Sequence, residues 1–134
     1  DIDLIKKENK ENPIYYIQYS YARTQSILDK TNKIIDTQVL VTSELKNLYK
    51  KLLEWENVIK SAYQKKEVHL IAHYLESLSS YFHTLWSSSK NNPKAKFLDK
   101  DSNISSDLHK LLCNYQNVLK DGLKILGIKP KLQM

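Results

Sequence analysis

The most restrictive feature of the sequence is a set of apolar residues between positions 68 and 85 that recur in steps of three and four without a break. These residues are Val68, Ile71, Leu75, Leu78, Phe82 and Leu85. Because an α-helix has about 3.6 residues per turn, this spacing places them on one face of a single helix. The segment is therefore predicted to be the central helix of a fold. Its apolar face, or seam, is expected to pack against several neighbouring helices.

Few helix-breaking residues occur in the chain. Only two glycines and three prolines occur in 134 residues, which is unfavourable for the turn-rich folds of β-sandwiches and barrels. A chain of this length forms one domain with one core. We predict an all-α fold over residues 1–134, a single bundle of about five helices over 13–126, with a linker over 1–12 and a tail over 127–134.

The first helix has a clear start. Asn12 can cap it, and Pro13 can occupy its first position without losing a backbone hydrogen bond. It is predicted to continue to Ile35, with a buried stripe of Ile14, Ile17, Tyr21, Thr24 and Leu28. A second helix is predicted to begin at Thr42 or Ser43, and a third to cover Trp55–Tyr63. After the central helix, a long loop is predicted over Ser87–Ser106. The last helix then begins at Ser105 or Ser106 and stops at Gly127.

The predicted core stripes of the shorter helices follow the same three-and-four spacing. They are Leu45, Leu48 and Leu52 in the second helix, Val58, Ile59 and Ala62 in the third, and Leu108, Leu111, Tyr115, Val118 and Ile125 in the last.

Charge and cysteine content indicate the environment. Lysine and arginine outnumber aspartate and glutamate by 21 to 15, a net charge of +6, which modestly favours a polyanionic partner. The single cysteine, Cys113, has no disulfide partner within the chain, and no stretch has the roughly 20 apolar residues of a membrane span. A cytoplasmic protein that does not enter a membrane is expected.

The first helix has a second face that its core stripe does not use. Tyr16, Tyr19 and Arg23 are spaced i, i+3 and i+7, so they lie within roughly 60° of one another on the helix. Their face is centred roughly 150° from the apolar stripe, which predicts that they point away from the core. Arg23 is the only arginine in the chain, and a guanidinium offers a planar fork that lysine lacks.

Two interpretations of this face remain open. Exposed aromatic rings beside a guanidinium can stack on an unstacked nucleic-acid base and contact its phosphate. Alternatively, the tyrosines cover a neighbouring helix, or the face docks another protein, because tyrosine and arginine are also enriched in protein interfaces. Lysines at 90, 94, 96 and 100 could contact phosphate if they lie on the Tyr16 side.

The segment from Asn12 to Arg23 also carries a resemblance to a known family. It is similar to the opening of the anticodon-binding domain of arginyl-tRNA synthetases, which reads asparagine, proline, valine, two tyrosines, valine, glutamine, tyrosine, alanine, histidine, alanine, arginine. The segments Asp1–Leu4, His69–Trp86 and Asn117–Ile128 resemble the same family. Ser20 and Tyr21 depart from its pattern, as do Lys131, Leu132 and Gln133 in the tail.

The resemblance implies a helical domain that holds the anticodon loop of arginine tRNA between its first helix and its C-terminal tail. Tyr16, Tyr19 and Arg23 would line this site from the helix, and Met134 would close it from the tail. The same resemblance implies a monomeric enzyme whose separate catalytic domain binds ATP and magnesium. A related anticodon-binding domain of a cysteinyl or glycyl enzyme, or a helical protein-interaction module, is the alternative.

No catalytic or metal site is predicted in the chain itself. It has no glycine-rich phosphate loop and no alternation of strands and helices, so neither ATP nor another cofactor is expected to bind this domain. His69 and His73 are four residues apart, but no third ligand accompanies them in the sequence, and a zinc site needs three or four.

Overall fold

The computed structural model describes residues 12–131 and 134. The described part contains five α-helices and therefore confirms the predicted all-α bundle. Residues 1–11 of the predicted linker and residues 132–133 of the predicted tail lie outside it. The helices are α1 (Pro13–Lys30), α2 (Ser43–Leu52), α3 (Trp55–Lys65), α4 (His69–Lys90) and α5 (Ser106–Ile125); a 3-10 turn (Pro93–Ala95) and the two-residue strands β1 (Ile34–Ile35) and β2 (Ile104–Ser105) complete the described elements.

Helix α4 is the centre of the bundle, as its apolar spacing predicts. It contacts each of the other four helices and the 3-10 turn. Its seam is buried from Ile71 to Leu85, but Val68 is 53% exposed. The prediction was wrong for Val68, because α4 begins one residue later and Val68 precedes its first turn.

Helix α1 begins as predicted. The side-chain Oδ1 of Asn12 accepts a hydrogen bond from the backbone N–H of Ile14 at 3.0 Å, and Pro13 occupies the first helical position. Asn12 is 1% exposed, so the capping residue belongs to the packed domain rather than to a linker.

The predicted end of α1 at Ile35 was wrong, because the helix stops at Lys30. Thr31 has extended backbone angles, and its hydroxyl donates to the carbonyl of Ile27 at 3.0 Å. The chain then forms β1, in which Ile34 and Ile35 pair in parallel with Ile104 and Ser105. The two isoleucines therefore belong to a distant pairing and not to the stripe of α1.

The predicted loop over Ser87–Ser106 is more ordered than expected. Helix α4 continues to Lys90, and the 3-10 turn and β2 follow it. Phe97 and Ile104 are buried, and the Phe97 ring meets Trp86 edge-on at a centroid distance of 5.4 Å. Two large apolar side chains therefore tie this segment to the core.

Helix α5 closes the core against α1 and α4. The buried Tyr115 ring stacks on Phe82 at a centroid distance of 4.8 Å, and its hydroxyl pairs with the Ser20 hydroxyl of α1. Ile125 is 48% exposed, so its place in the predicted stripe was wrong: the buried face ends at Leu123, two residues before the helix does.

The end of α5 confirms the predicted stop at Gly127, whose φ is +76°. The N–H of Ile128 donates to the carbonyl of Leu123 at 2.8 Å, and the N–H of Gly127 donates to that of Lys124 at 3.0 Å. This pair of bonds is the Schellman motif, which favours glycine because its central residue is left-handed.

The start of α2 is also confirmed, since the Thr42 hydroxyl accepts a hydrogen bond from the Leu45 N–H at 3.2 Å. Helix α3 extends two residues beyond the predicted Tyr63, to Lys65. Within the part of the chain that the structure describes, no helix combines the length and apolar character that crossing a membrane requires.

Candidate functional site

Helices α1 and α4 lie side by side, and residues further along α1 contact residues further along α4. Tyr16 and Tyr19 of α1 lie beside His83 of α4, at ring-centroid distances of 4.8 and 5.6 Å. Arg23, one turn further along α1, reaches Trp86, one turn further along α4. The face of α1 that carries the two tyrosines and the arginine is therefore turned toward α4 and is partly buried by it.

An open cleft of about 640 Å³ lies where these two helices approach their C-terminal ends. Its walls come from α1, α4, the segment after the 3-10 turn and the last residue of the chain. Its lining includes three aromatic side chains and four cationic ones, with Met134 at one side: Tyr19, Trp86, Phe97, Arg23, Lys30, Lys90 and Lys96.

Arg23 is the central side chain of the cleft. Its guanidinium carbon lies 5.1 Å from the centroid of the Tyr19 ring and 5.2 Å from that of the Trp86 ring. Its Nη2 donates a hydrogen bond to the Tyr19 hydroxyl. The aromatic rings and this bond fix the plane of the guanidinium, which leaves fewer rotamers to be lost when a ligand binds.

Two more cations accompany the helix ends. Lys30 is in the last turn of α1 and Lys90 in the last turn of α4, where the helix dipoles favour positive charge. The Lys90 ammonium lies 5.0 Å from the centroid of the Trp86 ring. The cleft therefore combines flat aromatic surfaces with several positive charges, which suits a ligand with a planar ring and an anionic group.

Tyr16 does not line the cleft. Its ring is partly buried against His83, and burial raises the pKa of its hydroxyl above the ordinary value. Of the four residues predicted to form the site, the structure brings Tyr19, Arg23 and Met134 together and places Tyr16 one turn away, in the contact between α1 and α4.

The C-terminal segment is anchored to α1 at Lys129. The Gln18 side-chain amide, which is buried, donates to the backbone carbonyl of Lys129 at 3.1 Å. Met134 lies at the edge of the cleft with 45% of its surface exposed. Gln18 is thus a positioning residue for the tail that the sequence did not single out.

The contribution of α4 was also missed from the sequence. Trp86 was assigned to the end of the central helix, and its role in a wall opposite Tyr19 depends on which helices are neighbours. The available signal was the spacing of Trp86 and Lys90 by one helical turn, which allows the cation to lie over the ring. Among the lysines at 90, 94, 96 and 100, the first and third line the cleft.

The other polar pairs do not form a comparable site. The His69 and His73 rings meet edge-on at 5.6 Å, and the Cys113 sulfur lies 3.8 Å from the His109 ring nitrogen Nε2. Among the residues for which the structure gives a placement, no cluster of three or more histidine, cysteine, aspartate or glutamate side chains could hold a metal ion.

The fold and the cleft define a class: an all-α domain with an aromatic, cation-lined cleft between two of its helices. Comparison with known proteins identifies the family within this class. The family model of the DALR anticodon binding domain matches residues 17–134. The chain therefore belongs to the DALR anticodon-binding domain family.

Curated relatives agree with this assignment. An arginine–tRNA ligase of Pelagibacter ubique is 33% identical over 141 residues, covering 100% of this chain and 24% of the relative. One of Orientia tsutsugamushi is 35% identical over 144 residues, covering 96% of this chain and 24% of the relative. The chain thus spans about a quarter of the length of these relatives.

A solved structure shares the fold. A crystal structure assigned to an arginyl-tRNA synthetase of Campylobacter jejuni superposes with a TM-score of 0.70 at 27% sequence identity. The match covers 100% of this chain and 29% of that one. The whole described bundle, and not only its first helix, therefore corresponds to one region of a longer protein.

Proposed function

We propose that this chain binds the anticodon loop of an arginine tRNA and holds an unstacked base of the loop in the cleft between α1 and α4. The observation that carries the proposal is the position of Arg23, whose guanidinium faces both the Tyr19 and Trp86 rings inside an open, cation-lined cleft. Membership of the anticodon-binding family and the similarity to arginine–tRNA ligases support the choice of ligand.

The chemistry of the cleft matches an RNA loop better than a duplex. Bases in a loop can leave the stack and lie against aromatic rings or a guanidinium plane, and each such contact contributes about 1–3 kcal/mol. Lys30, Lys90 and Lys96 supply charge for the phosphates on either side of the base. Met134 covers the base from the tail, and Tyr16 supports Tyr19 through the shared contact with His83.

The aminoacylation reaction belongs to another part of such an enzyme under this proposal. The relatives are arginine–tRNA ligases about four times as long as the matched region. We infer that this chain acts as the anticodon-recognising part of a monomeric ligase, and that the catalytic domain binds ATP, magnesium and arginine. This chain then contributes specificity and affinity for tRNA and no catalytic residue.

The proposal is tested by measuring filter binding of the purified chain to arginine tRNA and to a set of other tRNAs at physiological salt. We expect arginine tRNA to bind at least tenfold more tightly, because a base held in the cleft is read in addition to the phosphates. Equal affinity for every tRNA would contradict the proposal. If no tRNA binds and a stable complex with another protein is isolated, the protein-interaction alternative is favoured.

A further inference from the structure

One acidic side chain stands among the cations of the cleft. Asp29 lies in the last turn of α1 and lines the cleft beside Lys30. Among the cleft residues that the structure describes, it is the only one with a carboxylate side chain. Its position is unfavourable in two ways: a carboxylate repels RNA phosphates, and the C-terminal end of a helix disfavours negative charge.

The Asp29 carboxylate is nevertheless held in place by a relay of side-chain amides. Gln116 of α5 donates through Nε2 to Oε1 of Gln25 at 2.8 Å. Gln25 in turn donates through its own Nε2 to Oδ1 of Asp29 at 2.8 Å. The relay runs along one side of α1, orients the carboxylate and uses one of its two oxygens.

Nearby cations do not neutralise this carboxylate. Within residues 12–131 and 134, the ion pairs are Lys51 with Glu54 and His69 with Glu67, so Asp29 is paired with neither a lysine nor an arginine. A carboxylate only accepts hydrogen bonds. Its second oxygen is therefore available for a hydrogen-bond donor on whatever occupies the cleft.

A nucleotide carries such donors on its base and its sugar but not on its phosphate. The exocyclic amino groups of cytosine, adenine and guanine and the ribose 2′-hydroxyl can all donate to a carboxylate. We propose that Asp29 is a specificity-determining residue that accepts a hydrogen bond from an amino or hydroxyl group of the bound nucleotide. This inference rests on the proposed function and adds a residue that selects the nucleotide.

The substitution Asp29→Asn separates this role from simple charge, because the two effects have opposite signs. If Asp29 only repels RNA, removing its charge will increase affinity for the anticodon stem-loop of arginine tRNA. If it accepts a charge-assisted hydrogen bond, the substitution will weaken binding by about fivefold to tenfold. The binding constant is measured by fluorescence anisotropy of the labelled stem-loop, and circular dichroism checks the fold.

The matched control is Asp121→Asn, which makes the same change at an exposed position of α5 that does not line the cleft. It is expected to leave affinity within about twofold of the unsubstituted chain, with any change an increase. A loss of similar size in both variants would overturn the inference, because it would show that the loss does not depend on the position of the carboxylate in the cleft.

The RNA side of the test identifies the donor. At each loop position in turn, the base is replaced by an analogue without its exocyclic amino group, or the ribose by deoxyribose. We expect one such change to weaken binding of the unsubstituted chain and to have no further effect on Asp29→Asn, which is the coupling of a direct contact. Loss confined to amino-free analogues assigns a base contact, and loss confined to deoxyribose assigns a sugar contact.

Failure of this inference differs from failure of the proposed function. If Tyr19→Ala weakens binding while Asp29→Asn strengthens it, or if no loop position couples to Asp29, only the role of Asp29 is wrong. If the unsubstituted chain does not bind the stem-loop, both are wrong.

Discussion

At the scale of single residues, Arg23 is the central side chain of the proposed site. Its guanidinium faces two rings and donates to the Tyr19 hydroxyl, and lysine cannot reproduce that planar arrangement although it keeps the charge. We expect Arg23→Lys to weaken binding of arginine tRNA by about 1–3 kcal/mol, measured by fluorescence anisotropy. The reverse exchange Lys60→Arg, at an exposed position of α3, is the control, and unchanged affinity in folded Arg23→Lys would refute this role.

Tyr115 gives a prediction for stability. Burial raises the pKa of its hydroxyl well above the ordinary value of 10.0, so above about pH 10 the unfolded chain releases this proton while the folded chain retains it. The unfolded state then binds fewer protons, and the free energy of unfolding falls as the pH rises, by roughly 1.4 kcal/mol per pH unit for such a group.

Urea unfolding followed between about pH 8 and 11 checks this expectation. Tyr74 is buried with a raised pKa as well, so part of the decline will remain in Tyr115→Phe. The decline in that variant should be smaller than in the unsubstituted chain. Identical slopes for the two proteins would show that the Tyr115 proton is not linked to folding.

At the scale of elements, the contact of α5 with α4 depends on the absence of a side chain at Gly122. A Cβ atom at this position would lie 2.6 Å from Cδ1 and 2.7 Å from Cδ2 of Leu75, which is itself fully buried. Alanine favours a helix over glycine by about 1 kcal/mol, but overpacking a core costs about 1–3 kcal/mol. We expect the cost to exceed the gain, so that Gly122→Ala destabilises the fold by up to about 2 kcal/mol in urea unfolding.

Asn117→Ala, at an exposed position of the same helix, is the control, because it changes helix propensity without overpacking the core. A Gly122→Ala protein more stable than the unsubstituted chain would show that Leu75 moves without cost and that the two helices are less closely packed than described.

Helix α1 shows how far the sequence alone predicts an element. Its start at Asn12 and Pro13 was predictable, because capping is a local property. Its end was not, because Ile34 and Ile35 continue an apolar pattern that only their pairing with Ile104 and Ser105 explains. The long-range partner lies about 70 positions away, beyond any local signal.

In the candidate site, too, local spacing could be predicted from the sequence and long-range packing could not. The spacing of Tyr19 and Arg23 placed them on one face of α1, and the structure brings them together in one cleft. The predicted direction of this face agrees with the structure, since none of its three residues belongs to the buried core cluster. The tyrosines instead lie against His83 of α4, which is the open alternative in which they cover a neighbouring helix. Trp86 could be recognised as part of the wall only once α4 was known to be the neighbour.

For the whole molecule, the distribution of charge matters more than its sum. The net charge of +6 is modest, but Arg23, Lys30, Lys90 and Lys96 all line one cleft. We expect tRNA affinity to fall steeply with salt, because lysines that contact phosphates release counterions. Lys96→Ala should reduce the magnitude of the log affinity against log salt slope by about 0.7–0.9.

Lys60→Ala, on the exposed side of α3, provides the comparison for that slope. It should change the salt dependence little, because Lys60 does not line the cleft. Equal reductions in the two variants would mean that RNA contacts the surface diffusely and not through the cleft.

The central claim, that the cleft holds a base of the anticodon loop against Tyr19, is tested most directly by comparing two tyrosine substitutions. Tyr19→Ala removes a ring from the cleft, whereas Tyr63→Ala removes one that is 85% exposed on α3. The measurement is the equilibrium dissociation constant for arginine tRNA of each folded variant. We predict that Tyr19→Ala weakens binding by about 1–3 kcal/mol and that Tyr63→Ala leaves it unchanged; equal effects, or none from Tyr19→Ala, would contradict the account.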